Sequence, residues 1–253
     1  MDPGPRGPAE LTAGGRSPDT PATAASEGAK RLAAREAVAL AESGMVLGLG
    51  TGSTSRHAVA AVGERLREGS LRDIIGIPTS KATAEQARGE GIPLGDLADH
   101  PVVDLAIDGA DEIDANLDLV KGWGGALVRE GIVAHAARRF AVIVDESKVV
   151  ARLGTRGPVP VEVVPFAWRA QARWLAAALA CDVTRREGPG GAFVTDNANF
   201  ILDCRFSGGI VDPEQAADTI SSRPGVVGHG LFLGLATDAF IGLAGGVRRL
   251  FRP

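Results

Sequence analysis

The sequence predicts an α/β chain: a Rossmann-like parallel sheet with helices on both faces, plus an inserted ferredoxin-like (βαββαβ) small domain. Three observations carry this. Between residues 27 and 145, short apolar runs alternate with amphipathic stretches at the spacing of strand and helix. After Gly157 the rhythm becomes strand, helix, strand, strand, helix, strand. The apolar stretch at 231–251 then resumes strand-like character and is expected to return to the first sheet. The limits this suggests are an N-terminal extension over 1–25, a larger domain over 26–156 plus 231–253, and a small α+β domain over 157–230.

Each element has its own reason. The first 25 residues hold five prolines and four glycines with no apolar segment, so they are expected to be flexible and are no secretory signal. Residues 27–42 (EGAKRLAAREAVALAE) repeat alanine and leucine at helical spacing, and Ser43-Gly44 ends the run. MVLGLG follows as a buried strand, residues 54–68 as a helix, and 73–77 as a strand. A helix over 80–88 and a short strand at 92–94 come next, then PVVDLAID as a strand ending at Asp108. ALVREGIVAHAARR reads as a helix and FAVIVD as the next strand. In the small domain VPVEVVP, CDVTRRE and NFILDCRF are strands, with a fourth starting near Gly225. FAWRAQARWLAAALA and DPEQAADTISS are helices, the second carrying Pro213 in its first turn.

Composition narrows the function. Apolar residues make up 45% of 253, ample for a core, and no run is long and apolar enough for a membrane span. A net charge of −4 provides no basic field for nucleic acid or an anionic membrane, so an anionic ligand must be held by local groups. Cys181 and Cys204 lack a CxxC spacing and read as reduced packing cysteines of a cytosolic protein. His57, His100, His135 and His229 show no metal-ligand spacing and no Ser/His/Asp arrangement, so neither metal nor organic cofactor is implied.

Three motifs remain. GLGTGSTSRH lies between a strand and a helix. Its alternating glycines bring backbone N–H groups close to a ligand, and Thr51, Gly52, Ser53 and Thr54 sit at the helix start, a cradle for a phosphate monoester. It lacks the lysine of a P-loop, and IPTSK offers no acid where a dinucleotide fold needs one. A plain turn with Ser/Thr capping would look the same, so this loop alone decides little. The second motif, IDGADEIDANLDLVKGWGGALVRE, sets Asp108 at a strand's carboxyl end, where open α/β sheets bind ligands, with Asp111 a tight turn later. Lys121 ends a short apolar run, the GWGG turn follows, and Glu130 falls in the first turns of the next helix. Glu112, Asp114 and Asp118 have no such anchor and are assigned to solvent. The third, VDESK, brings Lys148 to the edge of another strand.

Successive strand ends thus supply a phosphate cradle, two aspartates, a lysine with a glycine-rich turn, a glutamate and a second lysine. Those groups suit proton movement beside a carbonyl: a carboxylate takes the α-proton, a cation or N–H stabilises the enediolate oxygen, and a second acid moves protons between oxygens.

These segments, with PVPVEVVP, VTDNANFILD and PGVVGHGLF, occur in the order that resembles type A ribose-5-phosphate isomerases over residues 29–246. The resemblance implies cofactor-free, metal-free interconversion of D-ribose 5-phosphate and D-ribulose 5-phosphate in the non-oxidative pentose phosphate pathway, with the larger domain catalytic. It also implies a sugar-phosphate substrate, a cytoplasmic location and a homodimer or homotetramer. By position, Glu130 resembles the base that shuttles the proton between C2 and C1. Asp108 resembles the acid/base for ring opening and hydroxyl proton transfer, with Asp111 beside it in the Asp108-Gly109-Ala110-Asp111 segment. Lys121, with Gly122, Trp123 and Gly124, resembles the group that stabilises the enediolate. Thr51 to Thr54 and Lys148 match substrate-binding positions, and Lys30 falls where a phosphate-side lysine is often found. Two residues depart from the pattern: Trp123 stands in a turn that is usually all glycine, where a large ring could cover or narrow the site, and Ala198 replaces a common glycine.

Other readings stay open at this level. An amino-sugar-phosphate deaminase or a sugar-phosphate lactonase would use similar groups. A non-catalytic sugar-phosphate sensor normally travels with a helix-turn-helix, for which the N-terminal stretch is too short and too proline-rich, and it has no need of Glu130, Lys121 and Asp108 together.

Overall fold

The computed structural model describes residues 21–252, with side chains from residue 26 onward. The expected flexible extension lies outside the described residues up to residue 20. Residues 21–25 are instead helical, because α1 spans Pro21–Val38 with proline at its start, where the missing N–H costs nothing.

In chain order, β1 (Val46–Leu49), α2 (Ser55–Arg67), β2 (Ile75–Pro78), α3 (Lys81–Gly89) and β3 (Leu105–Gly109) follow. Next come the two-residue strands β4 (Glu112–Ile113) and β5 (Leu119–Val120), then α4 (Leu127–Ala136) and β6 (Phe140–Asp145). The next group is β7 (Val159–Val163), α5 (Trp168–Leu179), β8 (Asp182–Arg185), β9 (Glu187–Gly188), β10 (Gly191–Ala192), β11 (Phe200–Arg205), α6 (Pro213–Ser221) and β12 (Val226–His229). The chain ends with β13 (Leu231–Phe232), β14 (Asp238–Leu243) and β15 (Gly246–Phe251).

The main sheet has strand order β15-β14-β6-β3-β1-β2. Every neighbouring pair is parallel except the β14–β15 hairpin, which closes one edge and returns the C-terminus to this sheet as expected. Alternation along each strand divides its side chains between two cores. Leu105 and Ile107 of β3, with Ala141 and Ile143 of β6, pack beneath α1 and α2. Ala106, Val142 and Val144 face the other way, onto Val133 and Ala134 of α4. The alanines Ala33, Ala34 and Ala37 are fully buried, so α1 lies close against the sheet. The short strand expected at 92–94 is reduced to a single bridge between Gly76 and Leu94.

The second layer is an antiparallel sheet, β12-β7-β11-β8, with α5 and α6, in the expected β-α-β-β-α-β succession. The turn-rich link between β8 and β11 holds the small β9–β10 pair. A three-stranded ribbon, β13-β5-β4, joins the layers: the Lys121 N–H donates to Gly230 O, and the Gly230 N–H to Pro160 O. Cys181 and Cys204 are free thiols, the second buried in the small layer's core.

Candidate active site

The carboxyl ends of β1 and β3 lie side by side and open a gap above the sheet. Gly50, just past β1, is close enough to Asp108 that a Cβ there would collide with its carboxylate. That carboxylate is held rigidly. Oδ1 accepts from Thr51 N–H (3.1 Å), Ser55 Oγ (2.8 Å) and its own neighbour Gly109 N–H (2.7 Å), while Oδ2 lies 3.0 Å from Lys121 Nζ. Asp108 also shares its face of β3 with Ala106, the face covered by α4, and α4 is where Glu130 sits.

Lys121 follows β5 directly and is 2% exposed. Its ammonium donates to Gly109 O (2.5 Å) and Glu130 Oε1 (3.1 Å) and lies 3.0 Å from Asp108 Oδ2, so its three N–H bonds are all taken up. Phe232 adds an aromatic face 5.7 Å from the nitrogen. Those partners hold Lys121 charged, well above the usual lysine range, against the pull of burial. Glu130 is 5% exposed, and its Oε2 has no hydrogen-bond partner among the described residues. Burial pushes its carboxyl up to about 8, with Lys121 opposing and Asp108 reinforcing the rise. Asp111 is likewise raised by burial, although it accepts the Trp123 N–H at 2.8 Å.

Thr51, Gly52, Ser53, Thr54, Ser55, Gly109, Ala110, Asp111, Lys121, Gly122, Gly124, Glu130 and Lys148 line one cleft of about 190 Å³. The Thr54 side chain does not cap α2; the N–H groups of Arg56 and His57 are bonded to Gly52 O and Thr54 O, and it is Thr51 to Ser55, at the positive end of the helix dipole, that line the cleft, a place that suits an anion. Lys30 stands beside this loop, its Nζ 2.9 Å from Glu27 Oε1 and 3.5 Å from Ser53 Oγ.

Four sequence-based readings need correction. The Thr51 hydroxyl is not offered to a ligand: it is bonded to Thr79, Ser80 and Thr83 at 2.8–3.0 Å, a cluster that pins the loop to the start of α3. The Trp123 ring does not cover the cleft. Its Nε1–H donates to Pro158 O (2.9 Å), and the ring packs so closely against Gly157 that a Cβ there would collide with it. Glu112 is not a solvated acid but fully buried, accepting the N–H groups of Gly154, Arg156 and Gly157 at 2.6–3.1 Å. Asp118, also assigned to solvent, accepts from Gly234 N–H and Arg252.

Sequence reasoning also missed Ser55, which bridges Asp108 and Gly109, and Arg186, which donates to the carbonyls of Gly122 and Trp123 from the small layer. Ser55 has a usable signal, its position one turn past the glycine loop. Arg186 has none, because its partners are distant in sequence.

A wider cleft, about 480 Å³, lies between α5 and α6, but its one charged residue, Asp212, is committed to capping α6.

The family model described as ribose 5-phosphate isomerase A (phosphoriboisomerase A) matches residues 75–246. The chain is 50% identical over 230 residues to the probable ribose-5-phosphate isomerase 2 of Arabidopsis thaliana, covering 89% of this chain and 87% of that protein. It is 50% identical over 228 residues to ribose-5-phosphate isomerase A of Chloroflexus aurantiacus, covering 90% and 95%. A solved D-ribose-5-phosphate isomerase in complex with phospho-erythronic acid superposes with a TM-score of 0.87 at 40% identity, covering 90% of this chain and 99% of that one. By sequence and by fold, the chain belongs to the type A ribose-5-phosphate isomerase family.

Proposed function

We propose that this protein interconverts D-ribose 5-phosphate and D-ribulose 5-phosphate through an enediolate, in the non-oxidative pentose phosphate pathway. The observation that carries it is the Oε2 of buried Glu130, without a partner among the described residues, in a cleft lined also by Thr51 to Ser55 at the start of α2 and by Lys148. A related enzyme binds phospho-erythronic acid. That ligand pairs a phosphate with a planar carboxylate of the shape an enediolate takes, which supports the same chemistry here.

In this reading, Gly52, Ser53, Thr54 and Lys148, with Lys30 nearby, hold the phosphate. Asp108 moves the ring proton that opens the sugar. Glu130 takes the C2 proton, and the C–H electron pair becomes the C1=C2 bond with charge on O1. The ammonium of Lys121 and the backbone of Gly122 and Gly124 stabilise that oxygen. Glu130 then returns the proton to C1 while Asp108 transfers the hydroxyl proton between O2 and O1. Lys121 does this as a fixed positive charge, because its N–H bonds already hold Asp108, Glu130 and Gly109 in place. The sequence further suggests that no metal or organic cofactor takes part, that residues 157–230 form a separate small domain beside a catalytic one of 26–156 plus 231–253, and that the protein is cytoplasmic. Among the described residues no helix is long and apolar enough to cross a membrane. A homodimer or homotetramer is part of the proposal and rests on the resemblance to the family.

A coupled assay of ribulose 5-phosphate formation tests the assignment. Glu130→Gln should keep KM within a few-fold and lower kcat by about 10²–10⁴. Chelator in the same assay should leave the wild-type rate unchanged. A Gln variant with full turnover would remove Glu130 from the mechanism.

A further inference from the structure

We infer that Trp123, the ring standing in the glycine turn, is a positioning residue that holds the Lys148 ammonium at the mouth of the substrate cleft. This deepens the isomerase reading and rests on it.

The residue is fixed at three points, one on its backbone and two on its ring. The Trp123 N–H donates to Asp111 Oδ2 at 2.8 Å, and the indole Nε1–H donates to Pro158 O at 2.9 Å. Below it lies Gly157, where a Cβ would overlap the six-membered ring. Gly157 is itself anchored: its N–H, with those of Gly154 and Arg156, is held by the buried Glu112 carboxylate. Lys148 lies over the ring, its Nζ 5.2 Å from the centroid. Lys148 lines the cleft and Trp123 does not. Arg156 also donates to the Ser147 carbonyl, next to Lys148 in the chain.

A lysine is a flexible point charge on a four-carbon stem, and left alone it would spread over many rotamers. The electron-rich face of an indole attracts an ammonium and confines it without consuming its N–H bonds, so they remain free for phosphate oxygens. A smaller residue at 123 could leave the backbone turn intact but would remove this platform. The role therefore belongs to substrate binding and not to proton transfer.

Trp123→Leu fills the space over Gly157 without a π face. It should raise KM for ribose 5-phosphate by about 2- to 30-fold with kcat unchanged, and Trp123→Phe should recover most of the affinity. In a Lys148→Ala background the Leu change should add nothing further. Should the Leu variant fold poorly, replacing tryptophan by 5-fluoro- and then 5,7-difluorotryptophan keeps the ring's shape while draining its face. KM should then rise stepwise, and only when Lys148 is present. An unchanged KM in the Leu or fluorinated protein, a loss confined to kcat, or additive effects with Lys148→Ala would overturn the inference. Failure of the unmodified chain to convert ribose 5-phosphate would instead overturn the isomerase reading.

Discussion

The Glu130 carboxyl is the residue on which turnover and stability pull in opposite directions. Buried and half-satisfied, it is pushed up to about 8 from an ordinary value of 4.5. A base must be ionised to accept a proton, so kcat/KM of the free enzyme should fall about tenfold per pH unit below 8 and level off above it. The stability consequence follows from the same shift. Because the folded value lies above the unfolded one, the contribution of this group is fully present below pH 4.5. It is lost as pH rises through about 8, where ionisation puts a carboxylate into the interior beside Asp108 with only Lys121 to offset it. Glu130→Gln removes that titration. Its melting temperature should exceed that of the wild type by a margin that widens between pH 5 and pH 9. A margin independent of pH, together with an acid limb well below 8, would mean that Lys121 neutralises Glu130 more fully than its burial opposes it.

Among elements, the loop 195–199 after β10 shows how a substitution readable in the sequence acquires a physical meaning in the fold. Ala198 adopts a left-handed backbone, φ +63, and is exposed. The loop forces this conformation. Glu162, fully buried on β7, accepts through Oε1 from Thr195 Oγ1, Asn197 Nδ2 and Asn199 Nδ2 at 2.8–3.1 Å, and the chain must double back between them. A Cβ in this region costs about 1–2 kcal/mol, partly offset by the unfolded-state freedom of glycine, and no packing is lost at an exposed site. Ala198→Gly should therefore stabilise the protein by about 0.5–1 kcal/mol in urea unfolding with activity unchanged; a loss of stability would show that the loop is not strained. The departure at 198 was legible in the sequence but its cost was not, since that depends on partners more than thirty residues away. The same limit explains Glu112. In a run dense in acids, nothing local separates it from Asp114, and the N–H groups that bury it arrive from residues 154–157. Asp108, Lys121 and Glu130 were legible because they fall at the end of a strand, just after one and in the first turn of a helix, so local pattern alone pointed to the sheet's carboxyl edge.

At the scale of the whole molecule, the glycine turn after β5 is where the two layers meet, and it is shaped from both sides. The link between β3 and β4 supplies Asp111 to its Trp123 N–H, while the antiparallel layer supplies Arg186, which donates to the carbonyls of Gly122 (2.8 Å) and Trp123 (3.0 Å). The same guanidinium pairs with Asp203 through Nε (2.9 Å) and Nη2 (2.5 Å), both partners less than one-fifth exposed. Arg186 thus uses one edge to stay on its own sheet and another to hold the turn that carries Lys121 and Gly124 into the cleft. Removing it leaves a part-buried carboxylate and the Trp123 carbonyl without their partner, while Gly122 O keeps only the Gly125 N–H, so Arg186→Ala should cost about 2–3 kcal/mol of stability. It should also lower kcat at least about tenfold, because small displacements of positioned groups are amplified in rate. Lysine separates the two effects. Its single ammonium can keep the charge against Asp203 but cannot reach the turn carbonyls in the same fork. Arg186→Lys should recover most of the melting temperature and little of the turnover. If lysine restored both equally, the small layer would serve only to stabilise the fold; if alanine kept wild-type kcat, the turn would hold its shape without the second layer.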